Sequence, residues 1–197
     1  MKKIIPLLVL LIVAFACSDA GKAEQAKMSE NELRSVFNKD MSEYLRYINA
    51  QDYDKAFDFL PDAIFKLSSK RDLMQVYEQM EDNGMRLEMK MLELTDISKV
   101  KTKDNDNYCR FNYEGTLIMY VSGEMADMKG LLLNQFESQY ENARGREYDD
   151  RIEIDITQTV FAVSVEGSAD WKYVEYNNTS KAAIDKVIPM DVVKELL

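Results

Sequence analysis

Residues 151–166 read RIEIDITQTVFAVSVE. From Ile152 to Ile156 apolar residues alternate with charged or polar ones, the period of a strand with one buried face. The phase then changes. Ile152, Ile154 and Ile156 fall on even numbers, whereas Phe161, Val163 and Val165 fall on odd ones. No turn residue separates the two sets, so the spacing predicts one strand over about 148–166 with a β-bulge or sharp twist near Thr157 to Val160. Bulges bend strands, and the first expectation is a strongly curved antiparallel sheet.

The flanking segments supply the rest of that sheet. Upstream, Met85, Leu87, Met89 and Met91 alternate with Arg86, Glu88 and Lys90. KDNDN at 103–107 reads as a hairpin tip, and the following strand sets Cys109, Phe111, Tyr113, Leu117, Met119 and Val121 on one face. Downstream, residues 166–170 form a turn into a last strand, Trp171 to Asn177.

Helical spacing appears outside these segments. Ser29 and Glu32 form a capping box ahead of Leu33, Val36, Phe37, Met41, Tyr44, Leu45 and Ile48, which predicts a first helix over 30–49. Asp52 caps a short second helix carrying Ala56, Phe57 and Leu60, stopped at Pro61. Ala63 to Leu67 reads as a short strand. Ser69 opens a third helix with Leu73, Val76, Tyr77 and Met80 inward, closed by Asn83-Gly84. A fourth is expected over 125–143, with Met125, Met128, Leu132, Phe136 and Tyr140 on one stripe and Gly145 ending it. The tail PMDVVKELL is a short helix with Pro189 near its start.

This order, and the stretch YLRYINAQDYDKAFDFLPDAIF from Tyr44 to Phe65, resembles the NTF2-like (cystatin-like α+β) superfamily. WKYVEY at 171–176 is similar to that superfamily's final strand. The resemblance implies an α+β cone: a curved antiparallel sheet packed on N-terminal helices around an apolar cavity. The 125–143 helix is then an insertion between two sheet strands. Isomerases, dehydratases, polyketide cyclases, binding proteins and assembly domains share the scaffold, so the fold does not select a function.

The amino end carries an address. Met-Lys-Lys precedes 13 uncharged residues, Ile4 to Ala16, and Ala14-Phe15-Ala16 is a small-x-small exit. That is the pattern of a secretory leader, and it is too short for a membrane-spanning helix of about 20 residues. The segment resembles a bacterial lipoprotein leader, with Cys17 at the position of lipid attachment, although its box lacks the usual leading leucine. The organisation expected is a signal peptide at 1–16, the lipid-attachment cysteine and a polar tether at 17–28, an NTF2-like domain at 29–178 and a helical tail at 179–197. The location expected is the bacterial cell envelope, with membrane attachment through the lipid.

Cys17 and Cys109 are the two cysteines. If Cys17 is acylated, Cys109 is unpaired and best buried; a disulfide between them would tie a flexible terminus to a strand and gain little order. Removing Lys2 and Lys3 leaves 23 basic against 35 acidic residues, near −12. Such a surface repels phosphates, so nucleic acid is excluded as a partner and a basic membrane patch has no source.

Chemistry is sparse. The chain has no histidine, which removes the commonest general base and the commonest transition-metal ligand. Relatives resembling ketosteroid isomerase place a tyrosine on the first helix and a carboxylate after the first strand. Tyr44 takes the first position, but Leu67 or Ser68 takes the second, and neither removes a proton from carbon. Tyr44 therefore reads as a core aromatic. Asp104 and Asp106 lack the glycine and distal glutamate of a calcium loop. Met85, Met89 and Met91 near Cys109 read as core packing rather than a Cu(I) site. No catalytic residue, metal or cofactor is assigned. The expected function is a non-catalytic module whose cone is lined by Tyr44, Phe57, Phe111, Tyr113 and Trp171 and holds a small apolar ligand or its own side chains. Two further readings stand beside it: an enzyme of isomerase or cyclase type using cavity tyrosines and a carboxylate, and an assembly module pairing two copies through the outer sheet face.

Overall fold

The computed structural model describes residues 28–140 and 142–197. The leader, Cys17 and most of the tether lie outside them. Helix α1, Glu30–Asn49, begins at the capping box: the Glu32 amide donates to the Ser29 hydroxyl and the Ser29 amide to the Glu32 carboxylate. Its buried residues Leu33, Phe37, Met41, Leu45 and Ile48 follow the expected stripe. Helix α2 spans Tyr53–Phe57, and α4, Lys70–Asp82, opens on a second capping box at Ser69 and Asp72. Within α4, Val76 faces solvent with 54% of its surface exposed, contrary to the inward placement expected of it.

Between them, residues 62–67 form helix α3, Asp62–Leu67, where a strand was expected. Pro61 has the extended backbone of an N-cap, and Asp62 puts negative charge in the first turn. The short segment meets its hydrogen bonds locally, beginning with the Ile64 amide to the Pro61 carbonyl. One short apolar run does not by itself distinguish helix from strand.

The strands are β1 Met85–Thr95, β2 Lys101–Lys103, β3 Asp106–Val121, β4 Arg144–Glu147, β5 Arg151–Ser164 and β6 Lys172–Tyr176. They form one curved antiparallel sheet. β3 and β5 are its spine; β1 and β2 share the far edge of β3, while β4 and β6 share the far edge of β5. Asp104 and Asn105 both have positive φ, the geometry of a two-residue hairpin turn, as the KDNDN reading expected.

No bulge interrupts β5. It pairs with β3 without a break from Arg151 opposite Tyr120 to Ser164 opposite Asn107. Even-numbered residues through Ala162 belong to the core beneath the sheet, whereas Phe161 and Val163 point to the other face. What looked like a phase flip is the onset of burial on both faces. The outer face of this half of β5 is covered by the tail: Ile184, Ile188 and the helix α6, Met190–Leu196, which buries Val192, Val193 and Leu196. Val165 lies beyond the strand, 50% exposed. The sheet's irregularity is in β1 between Met91 and Glu93, opposite Gly115. A Cβ at 115 would lie 2.6 Å from the Lys90 carbonyl oxygen, so only glycine fits there.

The helical insertion is present but shorter than expected. A 3-10 segment, Gly123–Met128, leads into α5, Lys129–Glu137. Met128 is exposed and Leu132 is buried. Gly145 does not terminate the helix. It lies in β4, where its missing side chain leaves room for Leu133.

Candidate functional site

Period two along WKYVEY decides where the last strand's side chains go. Tyr173 belongs to the inner core while Val174 and Tyr176 belong to the outer cluster. Glu175, opposite Val160, is therefore on the core face of β6. A carboxyl group among the apolar residues of a sheet's inner side demands an explanation.

Its strand is held firmly. The Tyr173 hydroxyl donates to Asp40 Oδ2 on α1 at 2.6 Å, and the Tyr173 amide donates to the Phe59 carbonyl at 2.8 Å. These contacts fix β6 between the first helix and the loop after α2. Among the described residues one donor reaches the Glu175 carboxyl: the Tyr113 hydroxyl, 3.3 Å from Oε1 and 3.1 Å from Met89 Sδ. None of the ion pairs among the described residues includes Glu175. Loss of hydration pushes the carboxyl above its usual pKa, and the Tyr113 hydrogen bond only partly opposes that shift.

Beside Glu175 is a recess of about 150 Å³ between α1, α4, β1 and the segment after α5. Tyr44, Tyr77 and Tyr140 line it with Glu175, and Leu87 and Leu117 form its apolar floor. Burial raises the pKa of all three phenols, most of all Tyr44, and the field of Glu175 adds to each. Glu88 also borders the recess, but its carboxylate is bonded by Arg86 and by the Tyr120 hydroxyl. Wider depressions lie elsewhere, among them an open furrow of about 540 Å³ along α1 and β1, a cleft of about 440 Å³ lined mostly by amide and hydroxyl groups at the β5–β6 edge, and a hollow of about 420 Å³ beside Gly84, Met85 and Tyr120.

Of the five expected wall residues, Tyr44 alone lines the recess. It packs against the core, as the core-aromatic reading expected, and no described residue hydrogen-bonds its hydroxyl. Tyr113 contributes through its hydroxyl, its ring being fully buried. Phe111 and Trp171 pack against Phe37, at 4.9 and 5.4 Å between ring centres, and belong to the solid core. Phe57 stacks in a separate aromatic group with Tyr53, Tyr77 and Phe65. Tyr77 and Tyr140 were expected on apolar helix faces but not at a site, and Glu175 was not singled out at all. For Glu175 the signal was available, since Trp171, Tyr173 and Glu175 share one parity.

Cys109 is a buried free thiol whose Sγ lies 3.3 Å from the Ser98 carbonyl oxygen. Burial pushes its pKa up to about 11, so it carries no reactive thiolate near neutrality. Among the described residues no helix is long and apolar enough to cross a membrane, and no three Cys, Asp or Glu side chains converge as metal ligands. Neither a protein-family model nor a curated protein matches this chain.

Proposed function

We propose that the protein is a non-catalytic binding module of the bacterial cell envelope, anchored by a lipid on Cys17, that holds a small ligand in the recess beside Glu175. The observation carrying the binding reading is a desolvated carboxyl with one hydrogen-bond donor facing about 150 Å³ of open space. An apolar engineered cavity of about this volume holds a benzene-sized molecule, so the ligand has roughly six to eight non-hydrogen atoms with one polar end. Native mass spectrometry of the chain purified from its own membranes tests this directly. An adduct of small-molecule mass, released by unfolding, is expected; a clean apo mass together with no binding of small cyclic probes overturns the reading. The anchor rests on the leader pattern and on the place of Cys17 within it. Mass analysis of the mature amino terminus is expected to find an acylated Cys17, and Cys17→Ala is expected to release the chain from the membrane fraction.

A second reading is favoured by the Tyr113–Glu175 pair. A tyrosine hydroxyl and a carboxyl of raised pKa beside open space have the composition of an acid–base site. That reading expects the protein to catalyse deuterium exchange α to the carbonyl of cyclopentanone in heavy water, and expects Glu175→Gln to abolish it. Exchange at the buffer rate excludes it and leaves binding as the function.

A further inference from the structure

The recess is asymmetric in its electrostatics. Among the described residues its wall includes two carboxylates, Glu88 and Glu175, and no lysine or arginine. Glu88 is already satisfied by Arg86 and Tyr120. Glu175 is not: a carboxylate offers about four lone-pair sites, and Tyr113 occupies one. A half-buried carboxyl left this way is costly unless something supplies donors or positive charge.

The remaining walls are suited to the same kind of guest. Tyr44 on α1, Tyr77 on α4 and Tyr140 after α5 bring three phenol rings to one small space. The face of an aromatic ring carries negative charge density and attracts cations, an effect that strengthens when water is excluded. Leu45, Ile48 and Phe136 complete a surface that suits hydrocarbon. Inorganic cations are a poor match, because calcium takes six to eight oxygen ligands and magnesium six, whereas this wall offers one free carboxyl and scattered phenols. The net charge of −10 over the whole chain also draws cations toward the molecule.

We propose that the recess receives a small organic ammonium ion, with Glu175 as its counter-ion and the rings of Tyr44, Tyr77 and Tyr140 as its walls. This rests on the binding function proposed above and names its ligand class. The ammonium group meets the unused lone pairs of Glu175, while its hydrocarbon part lies against Leu87, Leu117 and Phe136. Binding an ammonium ion holds Glu175 ionised, so any proton the free protein keeps on that carboxyl is released when the ligand enters.

Calorimetric titration of the full chain with cyclopentylammonium and with cyclopentanol, two molecules of nearly equal shape, tests the proposal. At pH 8 the ammonium ion is expected to bind at least about tenfold more tightly than the alcohol. Glu175→Gln is expected to bring the two affinities together. The pH dependence supplies a check that needs no variant. Burial raises the pKa of Glu175, the facing phenols of Tyr44, Tyr77, Tyr113 and Tyr140 are all shifted upward, and Glu88, the other carboxylate on the wall, pairs with Arg86. Affinity for the ammonium ion is therefore expected to fall as the pH is lowered through the raised pKa of Glu175, while that for the alcohol stays level. Equal affinities at pH 8, or a preference that survives in Glu175→Gln, overturn the ammonium reading and leave a neutral-ligand site. Binding of neither probe overturns this proposal and the binding function together.

Discussion

Glu175 sets the acid–base behaviour of the site. Its carboxyl is raised by desolvation against a weaker opposing hydrogen bond from Tyr113. In the unfolded chain it ionises at lower pH. Its favourable contribution to folding is therefore complete below the unfolded pKa and is lost as pH rises through the raised value. Glutamine keeps the shape and never ionises. The unfolding midpoint of Glu175→Gln is thus expected to gain on wild type as the pH rises from 4 to 8 in a thermal-melt series; a pH-independent difference contradicts a desolvated, unpaired carboxyl. Cys109 offers a second check at this scale. With its pKa near 11 and its Sγ packed against Ser98, it is expected to resist a disulfide reagent at pH 8 until denaturant is added. Neither property could be inferred from residue type alone. The parity of WKYVEY places Glu175 on the inner face, but only the folded wall shows that no basic side chain meets it.

Among the elements, β5 carries the clearest lesson. Alternation over Ile152 to Ile156 revealed a half-buried strand correctly, since only the inner face there meets apolar neighbours. From Val160 onward the strand has apolar residues on both sides because a distant segment, Ile184 to Leu196, covers its outer face. A parity rule assumes one buried face, so it turned two-sided burial into a bulge that does not exist. The real irregularity, in β1 beside Gly115, left no mark on the alternation of Met85 to Met91. Helices were clearest where capping boxes opened them, as at Ser29 and Ser69, and α3 was missed because six residues with none buried give too short a period to tell helix from strand. Two-sided burial has measurable consequences. Phe161→Ala is expected to cost about 3–5 kcal/mol and Ile188→Ala about 2–5 kcal/mol in urea denaturation. Val165→Ser, beyond the strand's end, is expected to change stability by no more than about 0.5 kcal/mol. Loss of several kcal/mol at Val165, or none at Phe161, would restore the bulged reading.

For the whole molecule, stability is concentrated along the β3–β5 spine, where pairing runs the length of both strands and side chains pack on two sides. Hydrogen exchange is expected to follow this pattern. Central amides of β3 and β5 should exchange only through global unfolding, while those of α3 and of the short edge strand β4 exchange through local opening. The tail is fastened to the body by charge as well as by burial: Lys101 pairs with Glu195, Lys103 with Asp191, and the Arg110 side chain bonds the Leu196 carbonyl. The exposed ion pairs each contribute little, so the apolar contacts hold the tail in place. An outer-face homodimer, the assembly reading, is thereby confined to the half of the sheet that the tail leaves bare. Arg146 there already pairs with Glu153 and Asp155.

The cover over Phe161, Val163 and Val174 comes from residues translated after the strands it protects. Until positions 184–196 dock, a polypeptide that has already paired β3 with β5 presents a greasy surface to its surroundings. Final closure must therefore wait for this segment, and during that interval the chain is open to capture by a chaperone or to sticking to its neighbours.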